Sequence, residues 1–348
     1  MKHSVMDDTP KKNRRVFLKY AAATAAAGIS TIQVTPTKAF SLFEYAYQSA
    51  AKAPISPAEF RRRLEGPILS NPTPFKANFD VDYQAVRKIV QRALRYGVKI
   101  FALTAGNSQY QSLSYDEIKE LTKVMVEAVN GQGLTIAATG DWWTQRAVDY
   151  ARYAESIGAD ALQVLRPSRS GGEDSIVRHF ETIALNTKLG LVLHGDYSNS
   201  LFEKLLRIDS VVAMKEDRDL SEYIEREIAF GDRVQIFGGG QEYRYLVGYP
   251  YGAKAFYSTY TTFAPDISMQ FWKAIQAGNL KAAVQITTKY DYPYLKGFTH
   301  QWWHATLEYF GVGARYLRPP QLSYTDEQMK EVKAFFDKQG IDPERYRS

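Results

Sequence analysis

Eight short apolar runs, separated by segments of helical spacing, constrain this chain more than any other feature. The runs are PILSN (67–71), KIFALT (99–104), LTIAAT (134–139), ALQVL (161–165), GLVLH (190–194), VVAMK (211–215), VQIFG (234–238) and KAFYST (254–259). Each is too short for a free-standing helix and reads as a strand buried on both faces. Between them, YQAVRKIVQRALRYG places Val86, Ile89, Val90, Ala93 and Leu94 on one helical face, and YDEIKELTKVMVEAV does the same with Ile118, Leu121, Val124 and Met125. Gly97, Gly158 and Gly190 stand where a helix hands over to the next strand. Eight such alternations imply an α/β chain closed into a (β/α)₈, or TIM, barrel. An open doubly wound sheet is the competing arrangement. Its dinucleotide-binding form lacks support, because no GxGxxG follows the first run, and GGG at 238–240 lacks the rest of that fingerprint. Beyond residue 266 only helical patterns follow, among them MQFWKAIQAG and DEQMKEVKAFFDKQG. The expected organisation is a lead-in over 40–60, a barrel over 61–265, and a C-terminal helical extension of the same domain over 266–348.

The first 39 residues read as an address. NRRVFLK (13–19) precedes the weakly apolar YAAATAAAGISTIQV and then PTKAF, with a small residue before a candidate cut after Ala39. The paired Arg14 and Arg15, followed by Phe17, Leu18 and Lys19, resemble a twin-arginine export signal. The expectation is a folded cargo of the twin-arginine translocase that works in the periplasm or otherwise outside the cytoplasm. A basic amphipathic helix is the plainer alternative. The same segment accounts for the charge: the chain carries +6, but residues 1–39 hold seven Lys/Arg against two Asp/Glu, leaving 37 basic and 36 acidic residues elsewhere. The body is therefore not a nucleic-acid binder on charge grounds. With no cysteine in the chain there is no thiolate nucleophile and no cysteine metal cluster.

In a (β/α)₈ barrel the C-terminal strand ends form the active face, and Lys215 ends the sixth run. A lysine behind Val211, Val212, Ala213 and Met214 suits an amine kept partly neutral by desolvation and ready for covalent chemistry. It also suits a side chain that merely reaches out to solvent.

Several stretches together resemble the dihydrodipicolinate synthase and N-acetylneuraminate lyase family of class I aldolases. They are NPTPF (71–75), SLSYDE (112–117), ATG (138–140), GADALQVLRP (158–167), HF (179–180) and LRPP (317–320), with MKED where the family has its Schiff-base lysine and Gly240 twenty-five residues on. The resemblance covers about residues 64–338. It implies a lyase in which Lys215 forms an imine with a 2-keto acid, with no cofactor and no metal, in a homo-oligomer.

The rest of the family's site departs from pattern. Its fifth-strand tyrosine falls on His194, its G-T-T-G-E loop on AGNSQY (105–110), its second tyrosine on Arg169, and its carboxylate-gripping arginine near Asn199. His194 is the candidate proton shuttle, since imidazole titrates near neutrality; a structural histidine is the alternative. Asn107, Ser108, Arg169, Asn199 and Gly240 are candidates to line the substrate site, with Gln109 and Gln241 as further amides of the active face. Trp142 and Trp143, after the third run, suit a sugar-derived ligand or packing under a loop. Trp302, Trp303 and His304 read as packing or subunit contact. The expected activity is aldol-type lysis of a sugar-derived 2-keto acid or keto sugar. Dehydration of a keto-deoxy sugar acid, or a non-catalytic periplasmic carbohydrate-binding barrel, stand as alternatives.

Overall fold

The structure, a computed structural model, describes residues 55–347; residues 1–39, where an export signal is expected, and residues 40–54 of the lead-in lie outside the described residues. All eight expected strands are present: β1 Gly66–Ser70, β2 Ile100–Ala102, β3 Leu134–Ala138, β4 Ala161–Leu165, β5 Gly190–His194, β6 Val211–Glu216, β7 Gln235–Gly238 and β8 Ala255–Tyr257. They are parallel and hydrogen-bonded in the order β7-β6-β5-β4-β3-β2-β1-β8. β7 and β8 lie side by side and complete the ring by packing rather than by a regular ladder. The chain folds as the (β/α)₈ barrel that the alternating pattern implies.

Both faces of these strands are buried, which is why they read as unbroken apolar runs. Ile68, Ile100, Ala102, Ile136, Val192 and Ala213 fill the barrel interior. Their neighbours Leu69, Phe101, Leu193 and Met214 face outward against the helices. The interior is stoppered at its base by the helix Pro57–Arg63, whose Phe60 and Leu64 join the inner cluster. Ser56 caps that helix, its hydroxyl accepting from the Glu59 N–H at 3.2 Å. Gly190 lets the stopper seat: a Cβ there would stand 3.5 Å from Pro57 and 2.9 Å from Val212.

Helix Pro265–Gln276 packs on β1, with the Trp272 ring over Gly66, a residue held at φ +101°. The helices after it are joined to the loop following β8 by an aromatic cluster. Phe263 lies 5.0 Å from Phe310 and 5.4 Å from Tyr294, centroid to centroid, and Phe310 lies 4.9 Å from Phe336. This fixes the segment from Tyr294 to Phe298 over the barrel mouth. Trp303 and His304 have no exposed surface, so packing is what they do here. Among the described residues, no helix is long and apolar enough to cross a membrane.

His304 gives the fold a pH signature. Its Nε2 lies 2.7 Å from the Gln109 side-chain amide, its ring stacks on Phe75, and burial, with His300 beside it, pushes its pKa down to about 3. A group titrating lower in the folded than in the unfolded chain contributes stability above its unfolded pKa, and that contribution is lost as pH falls toward the folded value. From an unfolded pKa near 6.5, the loss at pH 4 is about 3 kcal/mol. Thermal unfolding followed from pH 7 to pH 4 is expected to show a falling midpoint, and His304→Gln a visibly shallower fall.

Candidate active site

The site begins with the alternation of side chains along β6. Met214 packs outward, Lys215 points into the barrel mouth, and Glu216 points outward again. Glu216 has no exposed surface. Its carboxylate accepts from Arg226 Nε at 3.0 Å, from the Arg218 guanidinium at 3.0 and 3.1 Å, and from the Arg218 backbone N–H at 3.0 Å. Arg226 in turn donates to the Tyr197 carbonyl at 2.6 Å. An outward carboxylate held this way leaves Lys215 one direction, inward.

The Lys215 side chain is 11% exposed. Its Nζ donates to both oxygens of Asp217, the longer contact being 2.7 Å, and lies 3.2 Å from His194 Nε2 at the end of β5. His194 Nε2 lies 2.9 Å from Asp217 Oδ2, and its Nδ1 lies 3.2 Å from the Gln163 amide nitrogen on β4. Gln163 Oε1 accepts from the Tyr257 hydroxyl on β8 at 3.0 Å. The partners assign the tautomer: with the amide N–H aimed at Nδ1, the imidazole proton sits on Nε2 and points at Asp217. Four strands thus contribute to one network, which runs from Tyr257 through Gln163 and His194 to Asp217 and Lys215.

The charges follow from this arrangement. Burial, and next the Lys215 charge, push the His194 pKa below its ordinary value against the pull of Asp217. Burial opposes ionisation of Asp217, yet His194 and Lys215 outweigh it and hold the carboxyl well below the usual carboxylate range. Burial pushes the Tyr257 hydroxyl well above its usual range. At neutral pH the centre therefore holds an ionised Asp217 between two nitrogen groups.

A cavity of about 260 Å³ opens over the amine. Polar side chains of Ser70, Asn107, Gln241, Tyr257, Ser258 and Thr259 line it, and Leu295 and Phe298 of the C-terminal segment roof it. Asn107 donates to Ser70 Oγ at 3.0 Å, which fixes its amide at the rim. Gly239 and Gly240 form the turn after β7. A Cβ on Gly239 would fall 1.6 Å from Asp217 Oδ1 and 2.9 Å from Lys215 Nζ, so only glycine admits the ion pair. Gly240 adopts φ +92°, which favours glycine, and Gln241 follows at φ +79°. The Gln241 amide bonds the Thr259 hydroxyl and accepts its backbone N–H at 3.1 Å, which holds this sparsely populated conformation in place. Among the described residues, no group of three or more His, Asp or Glu is placed to hold a metal.

Residues 63–339 match the dihydrodipicolinate synthetase family. The chain belongs to that family. A probable 5-dehydro-4-deoxyglucarate dehydratase of Methylobacterium radiotolerans is 27% identical over 81% of this chain and 98% of its own length. A 4-hydroxy-tetrahydrodipicolinate synthase of Magnetococcus marinus is 25% identical over 62% of this chain and 76% of its own. The crystal structure of N-acetylneuraminate lyase from Mycoplasma synoviae shares the fold at a TM-score of 0.72 and 22% identity, covering 79% of this chain and 98% of that one. Dihydrodipicolinate synthetase family members are lyases and dehydratases that act on small molecules and are commonly homo-oligomers.

Within this family member, the structure brings Lys215, His194, Asn107 and Gly240 together as the sequence suggested, and places three other candidates elsewhere. Ser108 has no exposed surface; its hydroxyl donates to the Asn71 carbonyl at 2.6 Å and accepts from the Thr104 N–H at 3.1 Å, so it clasps the loop after β2. Arg169 is exposed on the wall of a larger cavity, about 590 Å³, that shares no lining residue with the lysine cavity. Trp142 and Trp143 line that larger cavity too. The lysine cavity is the better candidate despite its size, because it holds the near-buried Lys215 amine at the C-terminal end of a barrel strand. Asn199 is exposed at the first turn of helix Asn199–Leu205, outside the cavity lining. Gln109 turns away to His304.

Sequence reasoning missed Asp217, Gln163 and Tyr257. Asp217 stood in plain sight in MKED, two residues after the lysine, where period-two alternation returns a side chain to the inner face. Removing the carboxylate that sets this geometry, in Glu216→Ala, leaves the Arg226 guanidinium buried without its partner. The expected cost is about 3–5 kcal/mol of stability, read as a lowered denaturation midpoint in urea.

Proposed function

We propose that this chain is a Schiff-base-forming lyase acting on a sugar-derived 2-keto acid, and that its reaction is the dehydration of a keto-deoxy sugar acid. The observation that carries the reading is the near-buried Lys215 amine at the end of β6, facing a hydroxyl- and amide-lined cavity with the Asp217 carboxylate in contact with it as a proton acceptor. Family membership supports the chemistry, and the names of several relatives support a sugar-acid dehydratase over an aldolase.

Condensation of Nζ with the substrate carbonyl releases water and leaves an iminium. That cation draws electrons from the adjacent carbon, which loses a proton to give an enamine. The enamine then expels the hydroxyl one carbon further along, which leaves as water once a proton is supplied to it. His194 and Tyr257 flank the amine for these later transfers, while Asn107, Gln241 and Thr259 offer neutral hydrogen bonds to the hydroxyls and carboxylate of the substrate.

A non-catalytic sugar-binding barrel is the second reading, favoured by the ion pair that ties up the amine with both oxygens of Asp217. Borohydride reduction in the presence of 3-deoxy-2-keto sugar acids separates the two. The expected result is a stable adduct mapped to Lys215 and absent from Lys215→Ala; a folded protein that binds these acids and traps none of them would leave the binding reading.

The same proposal puts the enzyme outside the cytoplasm, on the strength of the paired Arg14 and Arg15 ahead of a weakly apolar run. Fractionation of cells expressing the full chain is expected to find it in the exported fraction. Replacing both arginines by lysine is expected to retain it in the cytoplasm; export that survives this change, or that never occurs, contradicts the proposal.

A further inference from the structure

Lys215 and His194 meet at Asp217, and their arrangement bears on how the amine becomes reactive. A protonated lysine cannot attack a carbonyl, so a proton must leave Nζ first. Two groups touch Nζ: the Asp217 carboxylate, with its longer contact at 2.7 Å, and His194 Nε2, at 3.2 Å. His194 is not free to accept in this arrangement. Its Nδ1 faces the Gln163 amide N–H, which is itself fixed by the Tyr257 hydroxyl on Gln163 Oε1, so its proton lies on Nε2 and points at Asp217 Oδ2. The imidazole is a donor, and the carboxylate is the acceptor for both nitrogens.

Space has been left for this carboxylate. Asp217 folds back over the turn after β7 to reach Nζ, and its Oδ1 lies 1.6 Å from where a Cβ on Gly239 would stand. Any side chain at 239 would push it off the amine. Asp217 is also 47% exposed, so its second face opens toward solvent and incoming substrate. The titratable groups that face it are the Lys215 ammonium from β6, His194 from β5 and Tyr257 from β8; the turn after β7 presents only backbone.

We propose that Asp217 is a catalytic residue that shuttles the proton of imine formation, while His194 is a positioning residue that holds it against Lys215. This rests on the reading of Lys215 as the imine-forming amine. Asp217 accepts one proton from the Nζ ammonium, and the freed amine pair attacks the carbonyl carbon. The carbonyl oxygen gains a proton from the amine as the carbinolamine forms. Asp217 then returns its proton to that hydroxyl, which departs as water while the nitrogen lone pair forms the C=N bond. One ammonium and one carbonyl become one iminium and one water, and Asp217 ends as it began, an anion paired with the new cation. The same carboxylate thus serves as base, as acid and as counter-ion.

The test compares the rate of borohydride-trapped adduct formation in wild type, Asp217→Asn, Gly239→Ala and His194→Asn, each checked for an unchanged circular dichroism spectrum and thermal midpoint. Asparagine keeps the shape of Asp217 and removes its capacity to take a proton. General acid–base groups contribute roughly 10²–10⁴-fold, so Asp217→Asn is expected to trap at least about 100-fold more slowly at pH 7. Its rate is expected to climb steeply with pH as the amine loses its proton to solvent, against a flatter wild-type profile. Gly239→Ala is expected to reproduce the defect by displacing the carboxylate. His194→Asn is expected to lose less, with the wild-type pH profile retained. Equal rates in wild type and Asp217→Asn overturn the proposal, as does a His194→Asn defect larger than that of Asp217→Asn. Absence of any adduct in wild type is a different failure, that of the imine reading itself.

Discussion

The Glu216 carboxylate lies wholly inside the protein, clamped by Arg226 and by the side chain and backbone of Arg218. A buried charge is tolerable only when it is fully paired. Glu216 meets that condition on the outer face of β6 and nowhere else, so the register of the strand is set. Period-two alternation then turns Lys215 inward with equal firmness. Rotation of β6 by one residue would bury an amine among the helices and leave the buried Arg226 guanidinium without the Glu216 carboxylate. The position of the candidate nucleophile is therefore a consequence of an ion pair on the other side of the sheet.

What surrounds the amine follows from the closed ring of parallel strands. β4, β5, β6 and β8 deliver Gln163, His194, Lys215 and Tyr257 to one end of the barrel, from parts of the chain up to 94 residues apart. The C-terminal helices, joined by packed aromatic rings to the loop after β8, lay Leu295 and Phe298 across the opening. The result is a small polar chamber with an apolar roof, in which charge–charge contacts are less screened than at the open surface.

The barrel was legible because strands buried on both faces have no polar alternation to hide them, and helices between them carry clear apolar stripes. Lys215 and His194 were legible for a related reason: each ends an apolar run, and in this fold strand ends converge. Loops carry no such rule. Arg169 and Asn199 follow β4 and β5 by several residues, and in that distance the chain turns outward, one to the wall of the larger cavity and the other to the start of an exposed helix. Ser108 sits beside Asn107 in sequence, yet the turn sends one hydroxyl to the backbone of Asn71 and Thr104 and one amide to the cavity rim. Gln163 lies in the middle of a strand and shows its role only when the barrel closes and β8 brings Tyr257 across from it.

The most direct test of the account is proton exchange at the substrate carbon. The full-length protein would be incubated in D₂O with a 3-deoxy-2-keto sugar acid, and loss of the proton signal next to the carbonyl followed by NMR. An enamine formed through Lys215 washes that proton out, so the account predicts exchange well above the buffer rate in wild type and at the buffer rate in Lys215→Ala. Exchange at the buffer rate in both, with the acid demonstrably bound, would contradict it.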